Sequence, residues 1–220
     1  MTKHPAVFSN SFIPIFADLL YGRRKVLNPF AGTGKLALIK DYGFEGKVIC
    51  NEIESEWANE SIYFVDEWHI GDAANMFWAK DGEFDAICTS PTYGNRMADH
   101  HNAKDSSKRI TYKHMLGHDL HQENTGAMQW GASYRIKHIE AYQEMLRVLS
   151  PNGRVIINIS NHIRKGKVVL VSDWHTMILK SMKLVCTSVF HFPTKRMRFG
   201  KNAHLRVQEE CIIVFDRRIP

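Results

Sequence analysis

Lys25-Val26-Leu27-Asn28-Pro29-Phe30-Ala31-Gly32-Thr33-Gly34-Lys35-Leu36-Ala37-Leu38-Ile39 passes from a short strand-like run, through a glycine-rich turn, into a helical pattern. A backbone that must turn tightly and approach a ligand uses glycine at such a place. A Walker-type phosphate loop needs glycine where Pro29 stands and Ser or Thr where Leu36 stands, so that reading fails. Gly32, Gly34 and Ala37 satisfy the looser dinucleotide fingerprint. Glu52 ends the next strand-like run, about 20 residues on, where a carboxylate can accept hydrogen bonds from ribose hydroxyls. The pair implies a nucleoside-type cofactor held by Asn28, Phe30, Ala31, Gly32, Gly34, Glu52 and its neighbour Ile53. Gly71-Asp72-Ala73 offers a further carboxylate, either for an adenine amino group or as the N-cap of a following helix.

Outward from this turn the chain alternates β-branched runs with helical patterns, which implies βα units and a mostly parallel, doubly wound α/β sheet. Strands are predicted at Lys25–Asn28, Lys47–Asn51, Trp68–Ile70, Phe84–Thr89 and Arg154–Ile159, and helices at Lys35–Tyr42, Ser55–Val65 and Tyr134–Leu149. The last helix is expected to present Ile136, Ile139, Met145, Leu146 and Leu149 as its apolar stripe. Leu184–Phe192 and Cys211–Phe215 read as a terminal antiparallel hairpin. The polar, His-rich and Lys-rich stretch 97–131 is longer than an ordinary connection and is expected to overhang the crevice beyond the C-terminal ends of the strands.

The 220 residues suit one domain, 1–220, carrying that insertion. With 44% hydrophobic and 24% charged residues the composition is globular, and no apolar run is long enough to cross a bilayer or to act as a secretory signal. A cytoplasmic location is expected, with no membrane partner. Cys50, Cys88, Cys186 and Cys211 lie in or beside strand-like runs without close pairing, and are expected to be reduced core residues. A net charge of +6 and a pI near 9.1 favour a polyanionic partner.

The buried-strand pattern Asp85-Ala86-Ile87-Cys88-Thr89 leads into Ser90-Pro91-Thr92-Tyr93-Gly94. Ser90 to Tyr93 resembles the Asp/Asn/Ser-Pro-Pro-Tyr/Phe signature of the class I S-adenosylmethionine-dependent amino-methyltransferases of the DNA N6-adenine and N4-cytosine type, and Asn28 to Gly34 resembles their cofactor turn. Leu149-Ser150-Pro151-Asn152-Gly153 is similar to a turn common in such enzymes, and His4-Pro5 to the segment covering the cofactor's methionine end, which adds Pro5 to the cofactor set. The resemblance implies a Rossmann-like methyltransferase sheet, S-adenosylmethionine as cofactor, and methyl transfer to an exocyclic amine. The order of the segments matches circular arrangements in which the cofactor half precedes the catalytic half.

The residue types suit that chemistry. An aromatic amine is a poor nucleophile because its lone pair is delocalised. Hydrogen bonds from its two N–H groups to the Ser90 hydroxyl oxygen and the Pro91 carbonyl hold the nitrogen pyramidal, and proline fixes φ beside that carbonyl. The resemblance implies that Tyr93 stacks on the base. Thr92 departs from the family pattern by replacing the second proline, which adds a donor and conformational freedom.

The partner implied is nucleic acid, DNA favoured over RNA. Arg96, Lys104, Lys108, Arg109 and Lys113 of the insertion, with Lys195, Arg196, Arg198 and Lys201 of the hairpin connection, are candidate phosphate contacts. His114, His118 and His121 are spaced so that a metal site can be drawn, but the chemistry requires none and no metal is expected. An RNA amine such as guanine N2 is the alternative substrate, since Tyr93-Gly94-Asn95-Arg96 also resembles RNA enzymes. A non-catalytic cofactor-bound partner subunit and a nicotinamide-dependent dehydrogenase are the other readings. All methyltransferase readings require the strands ending at Asn28 and Thr89 to lie side by side.

Overall fold

A computed structural model of the protein describes residues 9–94, 112–194 and 207–217, except for the side chains of residues 113 and 114. A seven-stranded sheet organises the chain. Its strands are β1 (Lys25–Asn28), β2 (Lys47–Glu52), β3 (Glu67–Ile70), β4 (Phe84–Thr89), β5 (Leu149–Ile159), β8 (Leu184–Pro193) and β9 (Glu209–Arg217), in the order β3-β2-β1-β4-β5-β9-β8. The first five run parallel, and β9 pairs antiparallel with both β5 and β8. A separate small hairpin joins β6 (His162–Arg164) to β7 (Lys167–Val169).

The central strands β1, β2, β4 and β5 are buried on both faces, which is why they are apolar at nearly every position rather than at alternate ones. Val26, Val48, Ala86 and Ile156 enter one core layer with α1 (Ile13–Leu19), while Leu27, Ile49, Ile87 and Ile157 enter the other with α4 (Ala132–Val148) and α5 (Val171–Ser181). No helix among the described residues is long and apolar enough to cross a membrane.

Three expected helices change. Lys35–Tyr42 is a 3-10 helix bounded by Gly34 and Gly43, both with left-handed φ, of 75° and 87°. In a 3-10 helix residues i and i+3 eclipse, so the fully buried Leu36 and Ile39 stack toward α1. Ser55–Val65 shortens to α2 (Ser55–Asn59). The Ser61 hydroxyl donates to the Thr33 carbonyl at 2.8 Å and accepts from Tyr63 N at 3.2 Å, turning the chain back to the glycine turn. In α4 the buried stripe is Tyr134, His138, Ala141, Tyr142, Met145 and Val148, whereas Ile136 is exposed and Leu149 already belongs to β5. The aromatic rings with polar tips go inside because α5 supplies a partner for them.

Candidate active site

Asn28 and Thr89 end adjacent parallel strands, with Val26 opposite Ala86 and Leu27 opposite Ile87. The Thr89 hydroxyl donates to Asn28 Oδ1 at 2.7 Å, and both residues are fully buried. The glycine turn and the Ser90–Tyr93 tetrad therefore emerge side by side and are fastened together at their bases. Asn28 Nδ2 is buried without a hydrogen-bond partner.

Above Asn28, Gly32 and Gly34 have φ of 54° and 75°. A Cβ on Gly34 would stand 2.6 Å from the Trp68 ring, so glycine is required there by both conformation and space. Glu52, the last residue of β2, closes the turn. Its Oε2 accepts from Gly32 N at 2.6 Å, and its Oε1 accepts from Ile53 N at 3.0 Å and Glu54 N at 3.1 Å. Burial pushes the Glu52 carboxyl up to about 7 against the opposite pull of those N–H groups. A carboxylate offers about four lone-pair positions, so three are engaged and one more hydroxyl can be accepted without breaking a bond.

Ala31 is buried and donates its N–H to the Asn51 carbonyl at 3.1 Å, and Phe30 stacks on His138 with ring centroids 5.7 Å apart. Asp72 accepts from Ala74 N at 2.9 Å and pairs with Lys137 of α4, which also meets Glu123 at 2.8 Å. The chain after Asp72 forms turns rather than a helix, so the carboxylate caps a turn.

In the tetrad, Pro91 is buried and Ser90, Thr92 and Tyr93 are half-buried. Ser90 Oγ lies 3.3 Å from the Tyr93 hydroxyl, beyond the range of a strong O–H···O bond. Thr92 is held at two points: its Oγ1 donates to Thr125 Oγ1 at 2.9 Å, and its carbonyl accepts from the Tyr134 hydroxyl. The freedom expected from losing a proline is thus taken up by two hydrogen bonds.

Behind Thr92 lies a buried relay. The carbonyl can only accept, so the single Tyr134 O–H proton is spent on it. His175 Nε2, 2.9 Å from the Tyr134 oxygen, must then be the N–H donor, and His175 Nδ1 accepts from the Tyr142 hydroxyl at 2.5 Å. Burial, then the neighbouring His138, holds His175 well below the ordinary imidazole range, which keeps it neutral as the relay requires.

The described part of the insertion covers this end of the sheet. It holds α3 (Tyr112–Leu116) and a 3-10 turn, Thr125–Ala127. Glu54 accepts from His121 N at 2.8 Å and from Asn124 Nδ2 at 2.7 Å. Trp130 N donates to the Gly94 carbonyl at 2.8 Å. Tyr112 packs with Trp57, and burial, then the charges of Glu52 and Tyr93, pushes its phenol pKa up. His118 Nε2 meets Glu56 at 2.9 Å.

Pro5, Arg96, Lys104, Lys108, Arg109, Lys195, Arg196, Arg198 and Lys201 lie outside the described residues, as does the Lys113 side chain. Thr89, Glu54, Tyr134, Tyr142 and His175 join the site from positions the motifs do not mark. Thr89 alone carries a signal, being the polar residue that ends an apolar strand immediately before the tetrad.

No family model matches the chain, and no curated protein matches it. Solved structures do. A SAM-dependent methyltransferase from Methanosarcina mazei aligns over 100% of both chains with a TM-score of 0.58 at 11% identity. The N-methyltransferase NodS from Bradyrhizobium japonicum aligns over 97% of this chain and 100% of its own, with a TM-score of 0.56 at 10% identity. An rRNA methylase from Streptococcus thermophilus aligns over the same shares with a TM-score of 0.53 at 12% identity. The chain has the Rossmann-like methyltransferase fold, a mostly parallel seven-stranded sheet finished by an antiparallel pair.

Proposed function

We propose that the chain transfers a methyl group from S-adenosylmethionine to the exocyclic amino group of a DNA base, cytosine N4 or adenine N6. The observation that carries this reading is the buried Asn28–Thr89 hydrogen bond, which fastens a nucleoside-type glycine turn beside a Ser-Pro-Thr-Tyr exit. The residues present fit the cofactor. Glu52 has room for a further hydroxyl, and the unpaired Asn28 Nδ2 is a buried donor. Leaving such a donor unpaired costs about 1–3 kcal/mol, which a ligand acceptor offsets.

When bound, S-adenosylmethionine supplies a sulfonium methyl already activated for displacement. The chain's own task is to prepare the amine. Ser90 Oγ and the Pro91 carbonyl accept its two N–H groups and aim the lone pair. Ser90 needs no proton-free charge for this, and the amine proton leaves to solvent during or after transfer. Tyr93 stacks on the base, worth about 1–3 kcal/mol, which offsets part of the few kcal/mol needed to extrude it from a duplex. Alignment of the two reactants can supply up to roughly 7–11 kcal/mol. The double anchoring of Thr92 supports that alignment by fixing the peptide that follows the Pro91 carbonyl.

The test is incubation with isotopically labelled S-adenosylmethionine and mixed DNA and RNA, followed by mass spectrometry of the nucleosides. Labelled N4-methylcytosine or N6-methyladenine is expected. Ser90→Ala and Tyr93→Ala should each lose most activity, on the order of ten- to a hundredfold for the loss of about 1–3 kcal/mol of orienting or stacking interaction, while retaining cofactor binding. Full activity in both variants refutes the assigned roles, and label found in RNA alone refutes the DNA substrate.

A further inference from the structure

The antiparallel pair β8–β9 brings three potential ligand side chains onto one face. His191 is opposite Cys211, and Pro193 is opposite Glu209. Side chains two residues apart on a strand share a face, so Glu209 and Cys211 flank the same ground as His191. His191 Nδ1 lies 3.4 Å from Cys211 Sγ and 3.5 Å from a Glu209 carboxylate oxygen, and the three ligand atoms all lie within 4.8 Å of one another.

Those distances can be compared with a coordination polyhedron. Zinc bonds of about 2.3 Å to sulfur and about 2.0–2.2 Å to nitrogen or oxygen, at tetrahedral angles, separate neighbouring ligand atoms by roughly 3.3–3.6 Å. Two sides of the triangle already have that length. The third closes by rotating Glu209, whose side chain is about half exposed, at 47%. We propose that His191, Glu209 and Cys211 bind a zinc ion through Nδ1, a carboxylate oxygen and Sγ, with water in the fourth position.

The donor set selects the metal class. Magnesium and calcium take oxygen ligands, whereas thiolate with imidazole suits zinc. An unmodified thiol is mostly protonated at neutral pH. Binding therefore forms a Zn–S bond and releases the thiol proton to solvent. His191 and Glu209 line a groove of about 430 Å³ together with Asn161 and Gln208.

Cys211 pairs with Ile159, the last residue of β5, so the site sits at the same end of the sheet as Asn28 and Thr89. The ion clips β8 to β9 where the chain departs for residues 195–206 and fixes the base of that basic connection. Sequence spacing conceals the site, because cross-strand register rather than a short motif assembles it.

The full chain, stripped of metal by chelator under reducing conditions, is titrated with Co²⁺ and then Zn²⁺. One equivalent of Co²⁺ should bind with a thiolate-to-cobalt charge-transfer absorption that Zn²⁺ abolishes. Cys211→Ser should lose the absorption. His191→Ala and Glu209→Gln, at exposed positions, should weaken Zn²⁺ binding at least tenfold while the metal-free chain keeps its thermal unfolding. The proposal is overturned if no stoichiometric uptake occurs, or if His191→Ala binds Co²⁺ with unchanged affinity and spectrum. Metal binding is read directly, so neither result depends on methyl transfer.

Discussion

Tyr134→Phe removes one oxygen from the relay that holds Thr92. The lost hydrogen bond to the Thr92 carbonyl is worth about 0.5–1.5 kcal/mol, and the stranded donor or acceptor left in the His175 pocket costs about 1–3 kcal/mol more. Switching the His175 tautomer does not escape the second cost, because Nδ1–H then donates to the Tyr142 oxygen and leaves the Tyr142 proton and the Nε2 lone pair unpaired. The sum is on the order of 2–4 kcal/mol. For a domain of this size each kcal/mol moves Tm by about 2–4 °C, so the expected loss is roughly 5–15 °C. Urea denaturation of wild type and variant measures the free energy, and steady-state methyl transfer measures the second consequence. With the Thr92 peptide loosened, kcat should fall more than KM rises, because the tetrad is mispositioned while the cofactor turn is untouched. A variant within about 0.5 kcal/mol of wild type would show that no relay of this kind stabilises the fold.

The other expectations are more compact. Gly34→Ala must accept both a left-handed φ and a Cβ 2.6 Å from Trp68, so it should cost about 2–4 kcal/mol and weaken cofactor binding, as read by denaturation and calorimetry. His138, lowered to about 4 by burial, and His175 stay neutral in the fold but protonate in the unfolded chain below about pH 6.5. Glu52, raised to about 7, opposes them by releasing a proton on unfolding in the same range. Between pH 5 and 6 unfolding should thus take up roughly one net proton, and stability should rise by about 1.4 kcal/mol per pH unit. Denaturation curves at pH 5, 5.5 and 6 that show a flat or falling trend contradict these assignments. On the proposed function ribose hydroxyls would donate to the ionised Glu52, so affinity for S-adenosylhomocysteine should tighten as pH rises from 6 and level off above about 7, up to tenfold per unit below it. Glu52→Gln should abolish that pH dependence.

What the sequence disclosed was contiguous. The glycine turn, Glu52 at a strand end and the tetrad each announce themselves within a few residues, and the parallel sheet follows from apolar runs separated by helical patterns. What it concealed depends on partners distant along the chain. Tyr134, His138 and Tyr142 displace Ile136 from the buried face of α4 because α5 brings His175 to meet two of them. The buried face of α5 likewise sets His175 beside Val171 and Leu179. Asp72 reads as an available carboxylate until Lys137 is placed against it. Thr92 reads as a lost proline until Thr125 and Tyr134 are seen to hold it.

Glu52 and Glu54 stand two residues apart and are joined by the Glu54 N–H to Glu52 Oε1 bond, yet they face different clients. One carboxylate closes the glycine turn, and the other grips the backbone of His121 and the side chain of Asn124. A ligand bound at Glu52 would therefore sit two residues along the chain from the contacts that hold His121 and Asn124. On the proposed function this adjacency predicts an obligatory order of donor and acceptor binding in product-inhibition patterns, and a random order would contradict it.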